Sequence, residues 1–547
     1  MATIVRHQID GPTGVLPGTL QGKWVMVLGL VLGSLALLLV KHAYSTDISK
    51  IPGIPEIPGA KPFIGHLHMH AGATGVNDAM LWSQWGKRLN TELLQCKFGN
   101  RRIVVANSFN AVREMFVKNA NSTSGRPRQY IFEHFIGYDL GTHSLDDSFK
   151  RQRTAGLKST QPRLWPSYYP MLAREGFELV QYMAEEGKYG TKSLLVLDLL
   201  RKVSMNMAFQ LTFAKRFRNA NDPWLQEYIS NAQKITKVRG ASNTWIDFVP
   251  LLRLNPWAAT DAKVARIASK KRDDMIAMIL KELQEKIDCG DQVDCIASWV
   301  LKDKEASLTL EDAVKCCMSM LQGGVETIPS HVFAGLGGLL SPKGLEYQER
   351  AYKEIRAIYA TDEEAIEKCF REEKVTYVTA LYKEMLRYYS IVPFSLPRET
   401  TAAIKVHNGE GFEVTVPAGT YVYMNSEGGN HDPCRFGPDA SEFNPARWLE
   451  RPEINGPGLP HYAYGVGSRV CPAWQISNRI MYGILVRLIL AFRLCPDENA
   501  LPPTDYTTYG ETPSGVANAP KLFLIRFVPR SPDKLKATLA TEKQIYE

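Results

Sequence analysis

The sequence predicts an α+β chain that is mostly α, a large helical bundle with small β-sheets, preceded by an N-terminal transmembrane helix. Three observations predict it. Apolar residues recur at three- and four-residue spacing from about Asp146 to Tyr389 and again from Trp474 to Phe492, the period of a helix with one buried face. Strand-like text is short and scarce, as in Ile103-Val104-Val105 and the alternation over Phe412–Val416. Near the start, the run Trp24–Val40 carries no charge and is bracketed by Lys23 and Lys41.

That uncharged run sits at the short end of the ~17–25 residues that span a bilayer. A cleaved signal peptide has a shorter apolar run and a small-residue cleavage site, whereas His42, Tyr44 and Asp47 follow here. The reading is a tail at 1–23 and a retained membrane anchor at 24–40. Lys41, Lys50 and Lys61 follow the span while Arg6 and Lys23 precede it, an excess that puts the bulk of the chain in the cytosol. The expectation is a single-pass protein in contact with membrane lipid, at the endoplasmic reticulum. Its sequon Asn121-Ser122-Thr123 would then stay bare. Pro52, Pro55, Pro58 and Pro62 forbid a helix over 41–62, which reads as a stiff extended spacer. No composition break divides 63–547, so this stretch reads as one mostly helical domain.

The net charge is +8 over 547 residues, with no clustered basic stripe, so nothing supports a nucleic-acid partner. The nine cysteines are odd in number and show no CxxC spacing. That pattern argues against a disulfide scaffold and against a structural zinc site, and a reducing compartment fits better. A single cysteine can still be a ligand.

Cys471 has the neighbours for it. It lies in His461-Tyr-Ala-Tyr464-Gly-Val-Gly467-Ser-Arg469-Val-Cys471-Pro-Ala-Trp474, a glycine loop running into a helix. Glycines let backbone approach a flat cofactor, and amides at a helix start can donate to a thiolate and lower its pKa. Pro472 suits a first helical turn, and Arg469 can pair with a carboxylate on the same cofactor. A buried structural cysteine on a glycine turn remains the alternative for this loop taken alone.

Two further segments bear on it. In Glu384-Met-Leu-Arg387 the charged residues stand three apart, on one helical face, and Phe443-Asn-Pro-Ala-Arg447-Trp448 follows downstream. In Gly323-Gly324-Val-Glu326-Thr327-Ile-Pro329, a helix opened by the capping pair Thr309 and Asp312 meets two glycines and a proline that should kink it.

Together, and in this order, these segments resemble the cytochrome P-450 superfamily over about residues 50–530. The family's haem loop has an aromatic residue, glycine, a basic residue, cysteine and a small residue at the spacing of Tyr464, Gly467, Arg469, Cys471 and Ala473. Tyr464 stands for the usual phenylalanine and Ala473 for the usual glycine. The resemblance implies haem b with its iron on the Cys471 thiolate, and a buried structural triad of Glu384, Arg387 and Arg447. It implies Thr327 as the hydroxyl on the oxygen side of the haem, with Glu326 as proton relay. Ile328 replaces the usual second hydroxyl. Arg153, in Phe149-Lys-Arg-Gln-Arg153, and Arg398 match positions that bind haem propionates, although Phe149 replaces the family's tryptophan.

The implied activity is a monooxygenase using dioxygen and electrons from a separate NADPH-cytochrome reductase. The segments Glu326–Pro329, Leu340-Ser-Pro-Lys-Gly344, Tyr347–Ile355 and His461–Gly465 look like fungal phenylacetate-hydroxylase-type members, implying a small aromatic substrate. The aromatics of Tyr130–Tyr138 stand where the family lines its pocket. Oxidation or coupling of a larger aromatic or indole alkaloid in fungal secondary metabolism is the first expectation, and ring hydroxylation of small aryl acids the second. A reductase-independent haem-thiolate isomerase or dehydratase, or a haem-binding protein without catalysis, are the readings from other classes. Retention of Thr327 weighs against the isomerase.

Overall fold

The computed structural model describes residues 18–70, 77–219, 221–239, 245–254, 260–409, 411–456, 458–511 and 517–546. The longer helices are α1 (Gly18–Tyr44), α2 (Asp78–Arg88), α3 (Asp147–Ser159), α4 (Tyr169–Glu186), α5 (Leu197–Phe213) and α6 (Pro223–Arg239). They continue with α7 (Thr260–Asp288), α8 (Leu310–Leu339), α9 (Gly344–Ile358), α10 (Thr376–Tyr388), α11 (Trp474–Ala491) and α12 (Pro532–Tyr546). The central member is α8. It packs against α5 most extensively and also against α3, α7, α10 and α11.

Its start shows why it begins where it does. The Thr309 hydroxyl accepts the Asp312 N–H at 3.1 Å, and the Asp312 carboxylate accepts the Thr309 N–H at 3.2 Å, so two otherwise unpaired donors are satisfied together. The Asp312 carboxylate also takes bonds from Ser148, Gln152 and Arg151 of α3, which pins that helix to α8.

Three small sheets flank the bundle. Strands β1 (Leu93–Phe98) and β2 (Arg101–Ala106) form an antiparallel hairpin. The chain adds β3 (Ser193–Leu194), β4 (Arg398–Glu399), β5 (Ile404–His407), β6 (Glu413–Val416), β7 (Tyr421–Met424), β8 (Phe492–Pro496) and β9 (Ile525–Pro529). The largest sheet has the order β1-β2-β7-β4, with β7 parallel to β2 in the register Ile103 to Tyr421 and Val105 to Tyr423. Pairing of Arg398 with Val422 sets β4 on its edge. Both strand-like runs of the sequence are strands, in β2 and β6.

The anchor requires correction. Trp24–Val40 is helical within α1, and the side chains of Trp24–Leu38 are exposed. Among the described residues, however, no helix is long and apolar enough to cross a membrane. Length is the physical reason: an uncharged run of this size rises ~25 Å at ~1.5 Å per residue, against a hydrocarbon core of ~30 Å. The expected single-pass anchor, and the endoplasmic-reticulum membrane location drawn from it, are overturned. Residues 1–17 of the expected tail lie outside the described residues.

The proline-rich segment over 41–62, read as a stiff extended spacer, packs against the domain at its isoleucines. Ile51, Ile54 and Ile57 are buried. The Gln95 side chain on β1 accepts the Ile51 N–H at 3.0 Å and donates to the Ile51 carbonyl at 2.8 Å and to that of Ile54. Proline removes local hydrogen bonds, and Gln95 supplies long-range ones in their place.

A buried acid follows β7. Glu427, in the short helix Ser426–Asn430, is buried near Tyr506 and Tyr509, and burial pushes its carboxyl up to about 8. The unfolded carboxyl titrates near 4.5. Between these two values the fold therefore holds a proton that the unfolded chain releases, and stability falls as pH rises from about 4.5 to 8. Glu427→Gln is expected to raise Tm at pH 8 by an amount equivalent to a few kcal/mol, and by much less at pH 5. Thermal melts at both pH values check this, and an equal shift at both would contradict it.

Candidate active site

The loop before α11 places Cys471. Its N–H donates to the Tyr464 carbonyl at 2.9 Å, closing the loop into a compact turn. The Tyr464 hydroxyl donates to Asn478 Oδ1 on α11 at 2.7 Å, so the tyrosine in place of phenylalanine finds a partner for its polar end. Gly467 has φ +64°, and a Cβ there would lie 2.2 Å from the Phe116 carbonyl oxygen. Only glycine therefore allows the loop to approach the segment Arg113–Lys118 this closely.

Burial pushes the Cys471 thiol up, while the Ala473 N–H and the Arg153 guanidinium pull it down. Burial wins, so the lowered pKa expected from the helix start is not realised by the protein alone. A metal on the sulfur would remove the proton outright. Among the described residues no cluster of three or more His, Cys, Asp or Glu is arranged to hold a metal ion. A metal on Cys471 would thus take its remaining ligands from a prosthetic group.

Four arginines gather around the Cys471 loop. Arg398, buried on β4, donates from Nη2 to the Val466 carbonyl at 2.9 Å, while its Nε and Nη1 are buried without partners. Arg469 donates to the carbonyls of Ser124 and His143, both at 2.8 Å, lies 3.8 Å over the Phe149 ring, and leaves Nη1 unpartnered. Phe149, which departs from the family's tryptophan, thus serves as an aromatic floor for this cation. Arg153 donates to the Val470 carbonyl, next to Cys471. Arg126 donates to the carbonyls of Gly141, Leu396 and Pro397 at 2.7–2.9 Å.

Among the described residues no carboxylate forms an ion pair with any of the four. Burial lowers the Arg398 pKa well below normal, and repulsion from Arg126, Arg469 and Arg153 lowers it further. Burial and the same neighbours hold Arg469 at about 9, and burial holds Arg126 at about 10. A buried group of like charges with unused donors is costly unless an anion joins it. The two propionates of a haem would supply such an anion, and these buried donors fit that group.

The oxygen-side candidates lie on α8. The Thr327 hydroxyl donates back to the Gly323 carbonyl at 2.6 Å. A Cβ at Gly323 would meet nothing within 4 Å, so open space borders the helix at this turn. The Glu326 carboxylate accepts from Arg201 Nε on α5 at 3.2 Å. Pro329 does not interrupt the helix: α8 is continuous from Leu310 to Leu339, with the proline inside it. Side chains reinforce the turns on either side of it, Thr327 on Gly323 and His331, whose Nδ1–H donates to the Thr327 carbonyl at 2.8 Å. Burial holds His331 at about 4, so it stays neutral.

The structure also brings the three expected triad members together. Glu384 accepts from Arg387 at 2.7 and 2.9 Å and from Arg447 at 3.1 Å, all buried. Asn444 N–H and Trp448 Nε1 complete its shell at 2.8 and 2.9 Å. The Tyr130–Tyr138 aromatics pack on one another and on α6. Phe132 stacks on Tyr138 and joins Ile131 and Ile136 against Ile235 and Val238 of α6.

Arg126, Arg201 and His331 were missed from sequence. Gly125-Arg126-Pro127 reads as an ordinary turn, and nothing local announces that its arginine meets one 272 residues away. Arg201 sits on a helix where a solvated charge is the usual reading.

The family model described as cytochrome P450 matches residues 55–527. The phenylacetate 2-hydroxylase of Emericella nidulans is 32% identical, covering 95% of this chain and 98% of that protein. The 3-hydroxyphenylacetate 6-hydroxylase of the same organism is 27% identical over 90% of this chain and 92% of its own. A zebra fish cytochrome P450 solved with progesterone shares the fold, with TM-score 0.65 and 18% identity over 82% of this chain and 99% of that chain. Matches of this extent, on a chain whose buried arginines keep unused donors around a cysteine loop, leave one assignment: the chain belongs to the cytochrome P450 family, and is a haem-thiolate iron monooxygenase.

Proposed function

We propose that the protein hydroxylates the ring of a small aromatic acid, with Cys471 as the iron ligand. The observation that carries the substrate class is the similarity, along nearly the whole chain, to two hydroxylases of arylacetates. Haem, when bound, supplies the activation of dioxygen, with electrons drawn from NADPH through a separate reductase.

The chain's own residues do the rest. Arg153, Arg398 and Arg469, joined by Arg126, hold the propionates by charge-assisted bonds. Tyr464 and Gly467 shape the loop that presents the sulfur. Glu384, Arg387 and Arg447 fix the segment leading to it. Thr327 offers its hydroxyl to the open side of α8, and Glu326 hands protons toward it from the Arg201 side, which requires that ion pair to loosen. The aryl-acid reading is preferred here to the larger alkaloids, because both hydroxylases act on arylacetates by name.

The test uses purified full-length protein, NADPH and a reductase, with phenylacetate, 3-hydroxyphenylacetate and an indole amine as substrates under labelled dioxygen. A hydroxylated arylacetate carrying one labelled oxygen is expected. Turnover of the indole amine alone would overturn the substrate class. In the same assay Thr327→Ala is expected to keep haem and NADPH consumption while product per NADPH falls roughly tenfold or more, with peroxide rising. Unchanged coupling would remove Thr327 from the proton path.

A further inference from the structure

A buried cation and a buried phenol meet where α6, α7 and α8 converge, away from the arginines around the Cys471 loop. Arg272 of α7 is buried. Its Nε and Nη2 donate to Asp273 Oδ1 at 2.9 and 2.7 Å, and Nη2 also donates to Ser269 Oγ at 3.1 Å. Its Nη1 is buried with no partner. Tyr228 of α6 is buried close enough to feel the Arg272 charge, and among the described residues its O–H donates to nothing. Gln322 of α8 lies within reach of that oxygen as a donor, which leaves the phenol proton free for an acceptor.

Folding around such a pair is unfavourable. An unused donor on a buried charge loses its water and gains nothing in return, and such groups are rare outside places where something else binds. Asp273 occupies one side of the guanidinium, leaving the Nη1 edge as a ready donor. Ser269 also donates to the Ile136 carbonyl at 2.8 Å, so this face adjoins the aromatic segment Phe132–Ile136. Gln322 directly precedes Gly323, where α8 is bordered by open space, and stands ~7.5 Å along the helix axis from Thr327.

We propose that Arg272 Nη1 and the Tyr228 hydroxyl form a carboxylate subsite, each donating to one oxygen of an aromatic acid whose ring extends toward Gly323 and Thr327. The subsite rests on the aryl-acid reading given above and names how that acid is recognised. Arginine suits the task because its planar fork matches a carboxylate. A neutral amide of the same shape is a poorer ligand, since it brings no negative charge to the guanidinium and its NH₂ can only donate to the phenol oxygen.

The holoenzyme is titrated calorimetrically with phenylacetate and with phenylacetamide. Wild type is expected to prefer the acid by about tenfold or more. Arg272→Met should abolish that preference by weakening acid binding alone, and Tyr228→Phe should reduce it severalfold. Haem content and melting temperature are followed for each variant. The wild-type ratio and Tyr228→Phe keep the test decisive if Arg272→Met does not fold. Equal wild-type affinity for acid and amide, or a parallel loss of both in Arg272→Met, overturns the subsite while leaving the aromatic substrate standing. Binding of neither compound by wild type overturns the aryl-acid reading and the subsite with it.

Discussion

Cys471→Ala is expected to eliminate the thiolate-type carbon-monoxide difference spectrum completely. The sulfur is held by a loop closed from Cys471 N–H to the Tyr464 carbonyl and faces the Ala473 N–H. Burial keeps the free thiol protonated, so only a metal would make it a thiolate, and alanine leaves no side chain in the loop to replace it. The arginines would still attract propionates, so some haem can remain bound with its iron ligated otherwise. Absorbance of the reduced, carbon-monoxide-treated protein separates these cases. Cys434→Ala, at an exposed position, is the control and should be silent. Persistence of the thiolate spectrum in Cys471→Ala would refute the ligand.

Glu384→Gln should have the second largest effect, on folding rather than on spectra. The carboxylate neutralises Arg387 and Arg447, which are themselves buried and spend their other donors on the carbonyls of Asn430, Ala440, Phe436 and Glu442. Glutamine keeps the shape but removes the charge, leaving two buried guanidiniums with only the carboxylate of Asp439 nearby. Removing one partner of a buried ion pair costs ~3–5 kcal/mol, against total stabilities of ~5–15 kcal/mol. The expected outcome is a steep fall in soluble, haem-loaded protein and a large drop in the urea midpoint of whatever folds. A midpoint equal to wild type would show that hydrogen bonding, without charge, suffices there.

Local rules explain what could be read from the sequence. The Thr309–Asp312 cap, the Glu384–Arg387 pair and the strand runs each rest on residues within a few positions of one another, where backbone geometry dictates who meets whom. The Cys471 loop was legible because its residues cluster in one segment. Arg126, Arg201 and Arg272 were not, because each finds its meaning through partners brought up by tertiary packing. An arginine on a helix reads as a solvated face until a neighbouring helix covers it. The anchor failed for the opposite reason. Its uncharged text was clear, but the decision rested on a length at the edge of what spans a bilayer. The prolines of 52–62 hid a packed segment because the isoleucines between them carry the burial, and Gln95 holds them from 44 residues away.

The parallel pairing of β2 with β7 has a consequence for how the chain is made. Val104 meets Val422, so the hairpin that emerges early from the ribosome lacks its neighbour until more than 300 further residues have been added. At ~5–20 residues per second that delay lasts tens of seconds. Throughout it, the β2 edge offers unpaired backbone groups to any passing strand. Biosynthesis of this protein therefore depends on shielding a nascent edge, and slowing translation downstream of Ala106 should increase its aggregation.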